Sequence, residues 1–163
     1  MSVLLTASLS ATLPLSAASH VDVVKMRTEN RVNPLGIGTS TPRFSWQITS
    51  DRKGVVQTSY QILVASSREK LDRNEADLWD SGERNSDEQL WIPYQGKALL
   101  SGAQAYWKVR ITTNKGKSEW TEPQLFTIGL LGETKWSGTW IGLEDLQPGE
   151  QKGMHTRLAA RYI

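Results

Sequence analysis

The sequence contains no cysteine and two histidines, His20 and His155, which lie near opposite ends of the chain. Disulfides, thiolate nucleophiles and cysteine-ligated metal sites are therefore excluded. Two distant histidines with no carboxylate pattern between them do not form a zinc site. The glycines are scattered over turns and do not form a phosphate-binding fingerprint. We predict no metal and no cofactor.

Concentrated charge and long apolar runs are also missing. The formal net charge is +2, and the basic residues are spread along the chain instead of forming the basic face that nucleic acid requires. The uncharged N-terminal stretch is too short and too polar to cross a bilayer. We predict no nucleic-acid partner and no membrane span.

Residues 1–19 carry no charge and end in small residues, Ser16-Ala17-Ala18. An apolar run followed by small residues is typical of a secretory signal, although here no basic residue precedes the run and Ser and Thr interrupt it. We interpret residues 1–19 as an atypical signal peptide, which predicts a periplasmic or extracellular location. The alternative is a disordered or mis-started N-terminus.

What the chain does have is tryptophan, seven in 163 residues, and short runs in which apolar and polar residues alternate. Such alternation predicts β-strands with one buried face, and the large aromatic side chains help a small core to reach stability without disulfides. The inward faces read from this pattern are Phe44, Trp46 and Ile48; Tyr60, Ile62 and Val64; Leu90, Ile92 and Tyr94; and Trp107, Val109 and Ile111.

Turn-forming residues close these runs about every dozen positions, and Pro93 places its segment at a sheet edge. The polar residues 66–77 predict a connection that is mostly solvated and could hold one helical turn around Leu71. Together the runs predict an all-β fold over residues 20–130, a seven-stranded antiparallel immunoglobulin-like sandwich of fibronectin type III character. Residues 131–163 are predicted to be a linker and the truncated beginning of a second β domain, since a lone strand does not bury its apolar face.

Seven motifs, in order from about Val21 to Gly142, resemble the N-terminal region of bacterial α-L-rhamnosidases of glycoside hydrolase family 78. Each motif alone is a weak signal, but seven in order are specific. They are 33–37 (Asn-Pro-Leu-Gly-Ile), 42–46 (Pro-Arg-Phe-Ser-Trp), 57–65 (Gln-Thr-Ser-Tyr-Gln-Ile-Leu-Val-Ala), 77–82 (Asp-Leu-Trp-Asp-Ser-Gly), 107–110 (Trp-Lys-Val-Arg), 129–131 (Gly-Leu-Leu) and 136–142 (Trp-Ser-Gly-Thr-Trp-Ile-Gly).

The resemblance implies a fibronectin-like module followed by further β-sandwich domains and an (α/α)₆ barrel. By resemblance, the barrel hydrolyses terminal α-L-rhamnose with inversion, using two glutamates about 6.5–9.5 Å apart so that a water molecule fits between them and the sugar. Both glutamates are expected beyond Ile163. We therefore expect no catalytic residue in this chain and no activity of the chain by itself.

The residues themselves offer few candidate sites. Asp77 and Asp80 lie three positions apart in an extended segment, so their side chains point in different directions and capping explains them better than acid–base catalysis. Aromatic residues are the plausible ligand-contacting groups, because sugars present apolar C–H faces to them. Trp46, Trp107 and Trp120 follow the inward pattern, and Trp79 is a further predicted core residue. Trp91 and Tyr106 face outward, towards a glycan or another domain.

Three functions remain open from the sequence. The first is a non-catalytic accessory module of an exported α-L-rhamnosidase, partnered by the remaining domains of the parent enzyme. The second is an independent module that binds rhamnose-containing glycans. The third is a free-standing structural or adhesive fibronectin-like domain, which predicts no response to sugars.

Overall fold

The computed structural model describes residues 21–132, which form two antiparallel sheets packed face to face. One sheet has the order β1-β2-β5; in the other, β4-β3-β6 is followed by β7, and β8 also pairs with β6. Within these residues no helix is long and apolar enough to cross a membrane. The elements are β1 (Val21–Thr28), β2 (Arg43–Ser50), β3 (Gln57–Ala65), α1 (Arg68–Asp72), β4 (Trp79–Asp80), β5 (Ile92–Pro93), β6 (Gln104–Thr113), β7 (Gly116–Lys117) and β8 (Gln124–Thr127).

The strands β7 and β8 occupy the same edge of β6. Strand β7 pairs with Thr112 and Thr113 at one end of β6. Strand β8 pairs with the other end of β6, at residues 104–107. Because β3 covers the opposite edge of β6, the two short strands together form one interrupted strand position. The described residues thus fill seven strand positions, which confirms the predicted all-β immunoglobulin-like sandwich.

The core lies between the two sheets and is built by the alternating residues. Phe44 on β2 is fully buried and contacts Trp107 of the opposite sheet, with 4.4 Å between ring centroids. The rings of Trp79, Tyr94 and Phe126 lie 5.8–6.5 Å from the Phe44 ring. This aromatic cluster joins both sheets, so apolar burial across the sandwich holds them together. The buried side chains of this core are Val21, Met26, Ile37, Phe44, Trp46, Tyr60, Ile62, Val64, Ile92, Tyr94, Leu99, Ala105, Trp107, Val109, Ile111, Phe126 and Ile128.

Leu90 departs from the predicted inward face. It is exposed, whereas Ile92 and Tyr94 are buried as expected. The reason is Trp91, which lies between Leu90 and Ile92. Its φ of 60° is a left-handed conformation that breaks the alternation of a strand.

The connection after β3 contains the short helical turn around Leu71 that the sequence allows. Its residues form the helix α1, whose Leu71 is fully buried on the outer face of the sheet together with Leu63 and Ala65. Ser67 begins the helix by accepting a hydrogen bond from the Lys70 amide. The Lys108 ammonium, on β6, donates to the Leu71 carbonyl and to Asn74 Oδ1, which ties the end of the helix to the sheet.

Trp120 belongs to this outer cluster, so its predicted place between the sheets is wrong. Its ring is partly buried against the Leu71 cluster. The cations of Lys108 and Arg110 lie 5.2 and 4.4 Å from the Trp120 ring, within the range of cation–π attraction. Residues 118–123 are not in a regular strand, so the alternation of β8 does not extend back to Trp120.

Candidate functional site

Trp91 lies just before the edge strand β5 and points outward, as predicted. The residue is 47% exposed and belongs to neither hydrophobic cluster. Its backbone amide donates to Ser45 Oγ at 3.0 Å. A bulky residue rarely adopts φ 60°, so the surrounding structure must hold it there.

An ion pair holds a cation over the Trp91 ring. The Arg43 guanidinium carbon is 4.3 Å from the ring centroid. Glu29 fixes that guanidinium through two parallel hydrogen bonds, Nε to Oε1 at 3.0 Å and Nη2 to Oε2 at 2.8 Å, and Glu29 Oε1 also accepts from the Arg43 amide. The hydrogen bonds from Arg43 lower the pKa of Glu29, so the pair stays charged at neutral pH. Two-point contact also fixes the plane of the guanidinium.

Next to this stack lies an open groove of about 750 Å³. Arg43 lines the groove and covers Trp91, and Pro93 of β5 lines it as well. Its other lining residues are Glu29, Arg31, Pro34, Leu35, Gly36, Ile37, Gly38, Thr39 and Thr41.

Tyr106, the second predicted contact residue, lies on the other sheet. It points away from the core, as predicted, but it is partly buried against the Leu71 cluster, and its hydroxyl accepts from Gln104 Nε2. Trp91 and Tyr106 therefore lie on different faces of the sandwich and do not form one site.

A different surface surrounds the point where the chain leaves β8. Leu35 and Leu100 are each 73% exposed, and Leu130 is 48% exposed. The segments that carry them are joined: Gly129 donates to the Ile37 carbonyl at 2.8 Å, and the Leu131 amide donates to Ser101 Oγ at 2.9 Å. We call Leu35, Leu100 and Leu130 the exit leucines. Apolar–polar alternation does not reveal them, because it does not extend into loops.

The exit leucines rest on a tightly hydrogen-bonded frame. The loop of residues 33–38 pairs with the end of β8 through the Ile37 amide to the Thr127 carbonyl and the Thr127 amide to the Pro34 carbonyl. Gly36 also donates to Thr127 Oγ1. At Gly129 a Cβ would lie 3.1 Å from the Gly36 carbonyl oxygen, so the two backbones are in close contact.

Several carboxylates of the described residues accept hydrogen bonds within the fold. Five of them have a lowered pKa, mainly because neighbouring donors hydrogen-bond to the ionised form. A glycosidase general acid needs the opposite shift. No group of three or more His, Asp or Glu in residues 21–132 has the arrangement of a metal site; His20 and His155 lie outside that range. The five carboxylates are Glu29, Glu69, Glu75, Asp77 and Glu83.

Asp77 is the most strongly shifted of these. Burial by itself raises its pKa, but hydrogen bonds from Lys70 Nζ and from the amide and hydroxyl of Ser66 outweigh this and lower the pKa to about 2. It ties the start of α1 to the segment before β4. Asp80 accepts from Gln61 and from the Gly82 amide. Both aspartates therefore have the structural role that the sequence indicates.

The Asp77 contacts predict a pH-dependent stability. Because the folded-state pKa of about 2 lies below the ordinary aspartate value of 3.8, ionised Asp77 stabilises the fold above about pH 4, and this contribution is lost as the pH falls towards 2. Urea denaturation should show Asp77→Asn to be less stable than the wild type at pH 7, with the difference shrinking between pH 4 and pH 2. The control variant Asp87→Asn, at an exposed residue, should leave the stability at pH 7 unchanged. An equal deficit of Asp77→Asn at pH 7 and pH 2 would contradict this explanation.

Comparison with known proteins identifies the domain. The family of Rha78A-like N-terminal immunoglobulin domains matches residues 23–132. An α-L-rhamnosidase of Formosa agariphila is 39% identical over 127 residues, which cover 77% of this chain and 13% of that protein. The crystal structure of Streptomyces avermitilis α-L-rhamnosidase complexed with L-rhamnose has 36% identity and a TM-score of 0.70, over 76% of this chain and 12% of that one.

The α-L-rhamnosidase structure from Dictyoglumus thermophilum gives a similar result, with 35% identity and a TM-score of 0.69 over 76% of this chain and 14% of that one. The chain thus spans about an eighth of the length of the relatives it matches. The matched region coincides with the sandwich. This chain belongs to the family of Rha78A-like N-terminal immunoglobulin domains.

Proposed function

We propose that this domain is a non-catalytic accessory module of an α-L-rhamnosidase and that it supports the neighbouring domains through the exit leucines. Family membership supports a place within a larger α-L-rhamnosidase, since the relatives are α-L-rhamnosidases in which the matched region is a small part. Export is part of the proposal, on the basis of the uncharged residues 1–19, which contain an interrupted apolar run and end in small residues.

The observation that carries the proposal is the position of Leu35, Leu100 and Leu130. Three separate segments bring exposed leucines to the place where the chain leaves the sandwich. Exposed apolar side chains on neighbouring segments mark an interaction surface. The next domain is the natural partner, because covalent linkage keeps it close to this surface.

The frame beneath the leucines suits a supporting role. Hydrogen bonds hold the backbone from Leu125, whose amide donates to Asn33 Oδ1, to Leu131, whose amide donates to Ser101 Oγ. A surface on such a frame loses little conformational entropy when a partner docks on it. The lowered pKa of the five carboxylates is consistent with a role other than proton transfer.

A domain exchange tests the proposal. Residues 21–132 would replace the matching domain of the Streptomyces avermitilis α-L-rhamnosidase, with and without Leu35→Ser, Leu100→Ser and Leu130→Ser. We expect the triple variant to melt at a lower temperature, with a loss of about 1 kcal/mol for each leucine that is buried in the interface. The kcat/KM for an aryl α-L-rhamnoside at low temperature should stay the same, because no exit leucine contacts the reacting bond in this proposal.

Val56→Ser is the matched control, since Val56 is 54% exposed but lies beside Asn114, at the other end of β6. Identical melting of the exchanged enzyme with and without the three serines would refute the role of the exit leucines. The 163-residue chain alone should release no product from the aryl rhamnoside, and turnover by it would refute the non-catalytic assignment.

A further inference from the structure

A second surface, which borders the exit leucines at Leu35, has the composition of a ligand site. Trp91 presents nearly half of its area to solvent from a backbone conformation that large side chains avoid. The hydrogen bond from its amide to Ser45 Oγ fixes that conformation. Energetically unfavourable backbone at an exposed aromatic residue is the kind of outlier that accompanies function, and no hydrophobic cluster accounts for this one.

The polar groups around Trp91 are preorganised. Glu29 holds Arg43 at two points, and Arg43 in turn lies 4.3 Å from the ring centroid of Trp91. The indole is thus fixed in orientation before any ligand arrives, which lowers the entropic cost of binding. Arg43 and Pro93 connect the ring to the groove.

The groove itself fits a small polar ligand. Its volume of about 750 Å³ is within the range of ligand clefts, roughly 300–1,000 Å³. Thr39 and Thr41 supply hydroxyls, and the backbone of residues 34–39 forms one wall. Since Glu29 and Arg43 neutralise one another, the lining lacks the concentrated positive charge that a phosphate-rich ligand requires.

We propose that Trp91, Arg43 and this groove bind a neutral saccharide with L-rhamnose at its end. The C–H face of the sugar ring stacks on the part of the indole that Arg43 leaves exposed, beside the groove, and its hydroxyls bond to Arg43 and the threonines. Rhamnose has a methyl group where glucose has a hydroxymethyl, which adds apolar surface for the indole. The choice of rhamnose rests on the proposed function, whereas the site rests on the geometry alone.

The test uses the full 163-residue chain, titrated with a rhamnose-terminated disaccharide and followed by ¹H–¹⁵N NMR. We expect saturable shifts of the Trp91 indole N–H and of the Arg43 and Thr41 amides. Trp91→Gly should weaken binding at least tenfold. Glycine adopts φ 60° without strain, so this variant should melt no lower than the wild type, which separates loss of binding from loss of fold. Leu90→Ala, at the exposed neighbour, should bind normally.

The outcomes separate the two proposals. Absence of a saturable response, or an equal response in Trp91→Gly, would overturn the saccharide site, while the domain exchange would still decide the accessory role. An equal response to maltose would overturn the assignment to rhamnose. Binding by the chain without any effect of the exit leucines on the exchanged enzyme would support the site and refute the supporting role.

Discussion

Gly96→Ala should destabilise the domain by about 3 kcal/mol, at the upper end of what overpacking costs. A Cβ at position 96 would lie 2.5 Å from the Leu78 carbonyl oxygen and from the Tyr94 hydroxyl, and closer still to Trp79 Cβ. Two of these three obstacles belong to backbone or to the base of a side chain, which do not rotate away. Urea denaturation at pH 7 measures the loss directly.

The reason for such a large effect lies in what Gly96 adjoins. The Tyr94 hydroxyl donates to the Lys97 carbonyl at 2.7 Å, and the Lys97 amide donates to the Leu78 carbonyl at 3.0 Å. A methyl group at position 96 would push these groups apart and move Trp79 off the core. Gly38→Ala is the matched control, because nothing lies within 4 Å of a Cβ there. If both alanine variants lose the same stability, close packing at Gly96 is not the cause.

Phe44→Ala should cost about 3–5 kcal/mol, the range for truncating a fully buried aromatic side chain. Phe44 is fully buried, and its ring meets Trp79, Tyr94, Trp107 and Phe126. Its removal leaves a cavity at the centre of the contact between the sheets. A loss of this size should lower the melting temperature by roughly 10–20 °C. It is a large share of the total stability, which for domains is only about 5–15 kcal/mol.

The control for Phe44 is Val56→Ala, at a residue that is 54% exposed, for which we expect a change within about 0.5 kcal/mol. Differential scanning calorimetry on both variants gives the comparison. A loss below 1 kcal/mol for Phe44→Ala would mean that the core collapses into the cavity, which would contradict the close packing described above.

The strands and the core were predictable where a strand runs without interruption. The sequence indicated Gln57 to Ala65 as a strand, which is β3, because strict alternation reports directly which face is buried. Phe44 and Trp107 followed from the same rule. Where the backbone leaves the strand conformation, alternation no longer predicts which side chains are buried. This explains both the exposed Leu90 and the outer position of Trp120.

The sites were less predictable, for a related reason. The outward direction of Trp91 followed from alternation, but its stacking with Arg43 depends on β2 and β5 being paired. The exit leucines lie in loops, and only the folded chain brings Leu35 next to residues about ninety positions later. The helical turn around Leu71 was predictable as a possibility, but its docking was not, because Leu71 gains its stability from the sheet and Lys108 and not from local sequence.

The frame that holds residues 125–131 has a mechanical consequence. Tension applied beyond Gly132 meets β6 on one side of the departing strand and the loop of residues 33–38 on the other. Both sets of hydrogen bonds then bear the load together instead of opening one after another. A pull at Gly132 is therefore resisted by two elements of the sandwich at once, β6 and the loop of residues 33–38.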